Sequence, residues 1–362
     1  MDMSAPNMVT RNGRWITRTK CFGVARAWGA GGLRCCGVWV ASILATLLQV
    51  SVAGATSITT GDILACNRGF GSPIVVNATT GVQALFPSAF EPPSSGAYDA
   101  VSNSSGQIFL AFALGGPIYS MDRITGSLTL LSSLGPQQSP YRLALAPDGM
   151  LFVLDGSSGG RVVRVDPASG AQTLVASGRF EALAIDGQGN GYVIRDDAQA
   201  VRSRRHLYRM DLATGTVVRI SNLDVHDPGG LAVDGAGQLI VVDNQHDPAG
   251  PLCTVFRVDP IFEIVAVVSE DAQLMQVFDS EVAADGTIVL ADHQTFSSCA
   301  PPGGTNSCPG AIFKLSPSTG AATLLSSGGN FDNLQGLTIY RGPSTVTPTK
   351  RSSWGQLKAI YR

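Results

Sequence analysis

The sequence predicts an all-β chain: a six-bladed β-propeller of four-stranded antiparallel blades, closed by a C-terminal strand that joins blade 1. Three observations predict it. A strand–turn–strand unit recurs six times, as in "LAVDGAGQLIVVDN" from Leu231 to Asn244. Glycines ending a second turn, Gly81, Gly126, Gly170 and Gly215, recur every 44–45 residues, the period of a four-stranded blade. No segment of helical period interrupts the array.

Inner strand pairs read first. "TTGDILACN" (Thr59–Asn67) and "AVSNSSGQIFLAF" (Ala100–Phe112) are loose copies, followed by "LALAPDGMLFVLD" (Leu143–Asp155) and "LAIDGQGNGYVIRD" (Leu183–Asp196). After Leu231–Asn244 comes "VAADGTIVLADH" (Val282–His293). Asp-Gly and Thr-Gly turns supply positive φ and side-chain-to-backbone bonds, which tight two-stranded turns need. A third strand and second turn follow each pair: "PIVVNATTG", "PIYSMDRITG", "RVVRVDPASG", "HLYRMDLATG", "TVFRVDPIFE" and "AIFKLSPSTG". The fifth has lost its glycine to Glu263. A fourth apolar run completes each blade. The first copy lacks an inner strand, and "LQGLTIYRG" (Leu334–Gly342) resembles one, so the C-terminal strand is expected to complete blade 1 and remove an open edge.

The ends differ from the array. Residues 1–55 hold six basic residues against Asp2 alone, then "GVWVASILATLLQVSVAGA". A basic stretch, an apolar run and a small-residue ending form a secretory signal pattern, with an uncleaved N-terminal membrane anchor as the alternative. The expected organisation is therefore a signal peptide or anchor over 1–55, the propeller over 56–342 and a flexible tail over 343–362. Secretion or a periplasmic location follows. The remainder carries 19 basic and 26 acidic residues, which excludes a basic nucleic-acid surface and suits a cation. The reading is of a monomer that binds a small molecule or a protein, with a membrane partner only if the N-terminal segment stays attached.

Four cysteines follow the leader: Cys66, Cys253, Cys299 and Cys308. An even number in an exported chain suits disulfides, either Cys299–Cys308 within one loop or Cys253–Cys299 with Cys66–Cys308 across three blades. Asn77 and Asn103 open N-x-S/T sequons, and both also suit turns.

The unit ending in Asp, as in "GQLIVVD" and "GMLFVLD", resembles the NHL repeat. The whole array is similar to the TolB-like six-bladed propellers, which include the gluconolactonase/senescence-marker and strictosidine-synthase-like families. The resemblance covers about residues 58–342. It implies a fold that hosts hydrolases, lyases and binding modules, and an axial divalent metal in the family's enzymes, calcium before zinc.

Candidate site residues follow from blade geometry. Loops between second and third strands share one face with the connections between blades. The second strands end there on a mostly polar column: Asn67, Phe112, Asp155, Arg195, Asp243 and Asp292. Each Asp suits a ligand, or a cap for neighbouring backbone N–H groups. Blades 4–6 carry the long insertions "DDAQAVRSRR", "NQHDPAGPLC" and "HQTFSSCAPPGGTNSCPG", a wall on one side of that face. His226, His246 and His293 fall beside it, with Asn244, Asp227, Asp247 and Asp292; histidine near carboxylate suits metal ligation or general-base work. Acids opening the inner strands, Asp99, Glu181, Asp279 and Glu281, are placed to face the axis and hold a hard cation. The expected function is an exported binding module with its site on the long-loop face of blades 4–6. The alternative is a metal-dependent lactonase-like hydrolase or lyase.

Overall fold

The structure is a computed structural model that describes residues 58–67, 73–86, 96–112, 115–135, 138–157, 159–197, 205–245, 252–293 and 309–343. Among these residues there are strands and turns and no helix. The leader, the tail beyond 343, His246, Asp247, Cys299 and Cys308 lie outside the described residues.

Twenty-four strands form six four-stranded antiparallel sheets. Blade 1 comprises β1 (Ile63–Asn67), β2 (Ile74–Val76), β3 (Gln83–Leu85) and, innermost, β24 (Leu334–Ile339). Blade 2 comprises β4 (Ala97–Ser102), β5 (Ile108–Phe112), β6 (Pro117–Met121) and β7 (Leu128–Ser133). Blade 3 comprises β8 (Pro140–Leu145), β9 (Leu151–Asp155), β10 (Arg161–Val165) and β11 (Gln172–Ser177). Blade 4 comprises β12 (Phe180–Ile185), β13 (Gly191–Asp196), β14 (Arg205–Met210) and β15 (Val217–Arg219). Blade 5 comprises β16 (Pro228–Val233), β17 (Leu239–Asp243), β18 (Thr254–Val258) and β19 (Val265–Ser269). Blade 6 comprises β20 (Val277–Val282), β21 (Ile288–Asp292), β22 (Pro309–Leu315) and β23 (Ala322–Asp332).

The ring closes as the sequence predicts. β24 pairs with β1 in the register Ile63↔Ile339 to Cys66↔Gly336, and its other side touches β20 and β4. Innermost strands touch their neighbours all the way round, β4 to β8, β12, β16, β20 and β24. Second strands are buried along their whole length, as in Leu239–Asp243 and Ile288–Asp292, with Arg195 of blade 4 the partly exposed exception. They are sandwiched between blades, so continuous apolar runs replace alternation. Six apolar clusters fill the seams; one joins Ile240, Val242 and Val255 of blade 5 to Ile288, Leu290 and Phe313 of blade 6.

The turn chemistry holds in detail. Asp211 Oδ1 accepts from the N–H groups of Ala213 and Thr214, and Gly215 sits at φ 72°. Asn77 does the same in blade 1 through Thr79 and Thr80, and Asn103 Oδ1 accepts from Gln107 N. Both sequon asparagines are thus working turn residues. Glu263 replaces the turn glycine of blade 5 and still takes φ 56°, a left-handed conformation that costs a side-chain-bearing residue about 1–2 kcal/mol.

One irregularity recurs. Every innermost strand shifts register next to its start, the register skipping Tyr98, Tyr141, Glu181, Gly229, Phe278 and Gln335. Such a bulge re-aims the residues on either side of it. It decides which side chains reach the axis.

Candidate functional site

Antiparallel pairing puts the first and third turns of each blade at one end. The second-to-third-strand loops and the inter-blade connections lie at the other. At that second end the register aligns Asn67, Phe112, Asp155, Arg195, Asp243 and Asp292, the column expected from sequence. Its aspartates are wholly buried and already engaged. Asp243 accepts from the backbone N–H groups of His226, Asp227 and Gln245 at 2.9–3.2 Å. Asp292 accepts from those of Met275 and Gln276. Asp155 accepts from Ser139 and Ser157 N and from Arg161 Nε at 2.7 Å. These bonds and the Arg161 cation hold the Asp155 carboxyl below its usual range against the upward push of burial. Asn67 donates to Asn330 O. Each cap fastens the connection that enters its own blade.

Asn244 is committed too. Its amide donates to Val277 O and accepts from Val277 N, both at 2.9 Å, clamping blade 5 to the first inner residue of blade 6. Gly229 lies under this clamp; a Cβ there would stand 2.1 Å from Val277 O.

Other polar groups remain at the seam of blades 4 and 5. Arg205 spans it, with Nε 3.5 Å from Glu181 Oε1 and Nη1 donating to His226 O. Asp227 is half-buried, and burial raises its carboxyl above the usual range, countered by Arg205 and reinforced by Asp243. The half-exposed His226 ring lies 3.5 Å from Asp243 Oδ2. His206 Nε2 lies 3.3 Å from Asp224 Oδ1. Further out on blade 4, Arg195 stacks over the Tyr208 ring at 5.1 Å and lies 3.6 Å from Asp197. His293 belongs to the blade 6 side, edge-on to Phe278 with ring centroids 5.3 Å apart. His226 and His293 therefore sit in different local clusters. The sequence reading missed Arg205, whose only signal is a basic residue opening a third strand.

The axis carries a second polar group. A cavity of about 130 Å³ is lined by the innermost strands, including Asp99, Arg142, Asp279, Glu281 and Arg341. Asp99 accepts from Ala100 N and from Leu143 N of the next blade. Asp279 accepts from Ser280 N and from Leu337 N of the closing strand. Burial, and for Asp99 the charge of Asp279, pushes both carboxyls above the usual range, while Arg142 pulls down. Glu281 accepts from Ile339 N and pairs with Arg341; burial raises it as well. Glu181 does not line the cavity. Calcium needs six to eight oxygen ligands. Here N–H groups engage the axial carboxylates and a guanidinium stands among them, which leaves a hard cation few free oxygens. Among the described residues, no group of three His, Cys, Asp or Glu side chains is arranged to hold a metal ion.

Of the four cysteines, Cys66 and Cys253 are buried thiols, whereas Cys299 and Cys308, and with them the expected pairings, lie outside the described residues. Cys66 packs with Leu64, Val75 and Phe112, and Cys253 with Val242, Val255 and Leu274. Each second-to-third-strand loop starts inside an apolar seam, where a small sulfur side chain packs like a hydrophobe. Burial is the main push on both thiols, well above their ordinary range.

Comparison with solved structures accounts for the architecture. A chain of the nidogen/laminin complex superposes with a TM-score of 0.61 at 13% identity, covering 77% of this chain and 98% of that one. TolB from Acinetobacter baumannii gives 0.57 at 14%, covering 77% of this chain and 66% of that one. The fold is that of the TolB-like six-bladed propellers. A protein of unknown function from Bacteroides caccae gives 0.57 at 12%, covering 78% and 100%. No protein-family model matches the sequence, and no curated protein matches it. At such identities the likeness concerns the TolB-like propeller fold alone.

Proposed function

We propose that this propeller is an exported binding module whose ligand, a small molecule or a protein, sits on the long-loop face of blades 4–6. One observation carries the reading. The repeat-derived aspartates of that face are consumed as caps, whereas Glu181, Arg205, His226 and Asp227 are grouped at one seam on the face that carries the long second-to-third-strand insertions of blades 4–6. A half-buried carboxylate, a guanidinium and an exposed imidazole suit polar recognition at the edge of an apolar scaffold. The fold is compatible with a protein partner, since a propeller of this type occurs in the nidogen/laminin complex. Export rests on the signal pattern of residues 1–55. The hydrolase or lyase alternative requires an axial ion, and the arginine among the axial acids does not favour it.

The test compares the chain with a His226→Ala/Asp227→Asn variant. Both are exposed to extracts of the producing cells and examined by native mass spectrometry. A retained species lost from the variant, at unchanged melting temperature, supports the seam as the site. Equal retention removes the seam as the site. Calcium-dependent lactone hydrolysis abolished by the same substitutions would replace the binding reading with the enzymatic one.

A further inference from the structure

The opposite face bears a feature that the proposed site does not use. First and third turns all emerge there, and turn chemistry prefers Asp at the residue that caps them. Blades 3–5 therefore present Asp148, Asp166, Asp186, Asp211, Asp234 and Asp259 on one surface. Turn hydrogen bonds hold Asp166, Asp186, Asp211 and Asp259 below the usual carboxyl range, so these charges persist into mild acid.

The recesses on this face run into one another. One of about 740 Å³ lies between blades 5, 6 and 1, bordered by Thr60, Asp234, Asp285 and Arg341. It shares Asp234–Ala236 with a recess of about 470 Å³ between blades 4 and 5. That one shares Asn190, Arg209 and Pro260 with a third of about 800 Å³ along blade 4. Exposed Ile261 and Phe262 stand at the rim, where Phe262 and Glu263 replace the Thr/Ser-Gly of the other turns. A trough with an apolar lip thus crosses blades 4, 5, 6 and 1, and is acidic on balance: Asp186, Asp211, Asp234, Asp259 and Asp285 line it against Arg209, Arg257 and Arg341, of which Arg257 lies 3.6 Å from Asp234.

The chain itself leaves the fold at one end of this trough. Arg341 and Thr60 line the first recess, Thr60 Oγ1 bonds Gly342 O, and Tyr340 OH bonds Pro343 O. Residues 344–362 contain Lys350, Arg351, Lys358 and Arg362, no acid, and the apolar Trp354, Leu357, Ile360 and Tyr361. Nineteen residues reach about 60 Å when extended, at ~3.3 Å each. We infer that the C-terminal segment 344–362 docks along the acidic trough of the hairpin-turn face, its basic residues against the turn aspartates and its aromatic end near Ile261 and Phe262. The surface is an intramolecular docking site for a basic, aromatic-bearing strap. Any external segment of the same chemistry would compete for it.

Trp354 is the sole tryptophan after residue 39, so the full chain with Trp15, Trp28 and Trp39 replaced by Phe reports on the strap alone. Docking predicts blue-shifted emission and acrylamide quenching about twofold lower than for the free 344–362 peptide. About 1 M salt, which shortens screening to ~3 Å, should release it. So should Asp211→Asn/Asp234→Asn/Asp259→Asn, which keeps the turns, because Asn77 and Asn103 fill the same positions in blades 1 and 2. Emission and quenching equal to the free peptide at low salt would overturn the inference. So would a blue shift unmoved by salt and by the triple variant. A shift that depends on protein concentration would assign the trough to the tail of a second copy instead.

Discussion

Asn244→Ala is expected to destabilise the propeller rather than impair recognition. The side chain is 6% exposed and makes two hydrogen bonds to Val277, itself wholly buried. Truncation leaves an N–H and a C=O of the innermost strand of blade 6 without partners. Each orphaned buried group costs about 1–3 kcal/mol, so the loss should be about 2–5 kcal/mol. Space for water is scarce, because Gly229 already lies close enough to Val277 O to exclude a Cβ. Gly229→Ala should therefore be destabilising by the same route. The assay is urea unfolding followed by circular dichroism, with the shift in midpoint at unchanged slope giving the difference. Asn222→Ala, at an exposed site before blade 5, is the control and should stay within about 0.5 kcal/mol. A loss below about 1 kcal/mol for Asn244→Ala would refute the clamp. Unchanged stability with lost ligand retention would return Asn244 to the binding residues.

Three other outcomes are expected. Asp99, Asp279 and Glu281 have raised carboxyls, so their contribution is present below the ordinary carboxylate range and is lost as pH rises above it; Asp155, Asp186 and Asp271 are lowered, so theirs is present above that range and is lost as pH falls through it. Melting temperature should thus peak in mild acid, and a monotonic rise from there to pH 9 would contradict the axial assignment. Cys66 and Cys253 should resist iodoacetamide at pH 7.5 until the chain unfolds, and non-reducing peptide mapping should find both as thiols; a disulfide at either would refute the buried-thiol structure. Glu263→Gly should gain about 1 kcal/mol, seen as a rise of a few degrees in melting temperature, by relieving the left-handed strain; a loss would mean that Glu263 makes a compensating contact.

The fold was legible because the information it needs is local. Asp-x-x-Thr-Gly and Asp-Gly turns specify hairpins wherever they fall, and their spacing gives the number of blades. The closing strand was legible because Leu334–Gly342 repeats the inner-strand pattern. The axial set was only partly legible. Asp99, Glu181 and Asp279 all open inner strands, yet Asp99 and Asp279 lie one residue past a bulge and reach the cavity, whereas Glu181 is itself the bulged residue and pairs with Arg205. A one-residue slip changes the face a side chain serves, and sequence patterning carries no mark of it. Arg142 was missed for the same reason: it holds in blade 3 the post-bulge position that Asp99 holds in blade 2. The partner of Asn244 was illegible because it is Val277 backbone, 33 residues away in another blade.

The repeat itself supplies the argument for where recognition should be sought. Any polar residue present at the same position in most blades is explained by a service every blade needs: Asp243, Asp292 and Asp155 cap an incoming connection, and Asp186, Asp211 and Asp259 cap a turn. Such residues carry charge to both faces without discriminating among ligands. Specificity must come from positions where one blade departs from its siblings. The departures cluster. Glu181 stands where blades 2, 3 and 6 place Tyr98, Tyr141 and Phe278, and Arg205 and His226 border it on the long-loop face. Phe262 and Glu263 break the turn rule on the other face, at a cost in backbone strain. Both departures fall in blades 4 and 5, so one sector of the ring presents a distinct surface at each end, one suited to a ligand and the other to the chain's own basic strap.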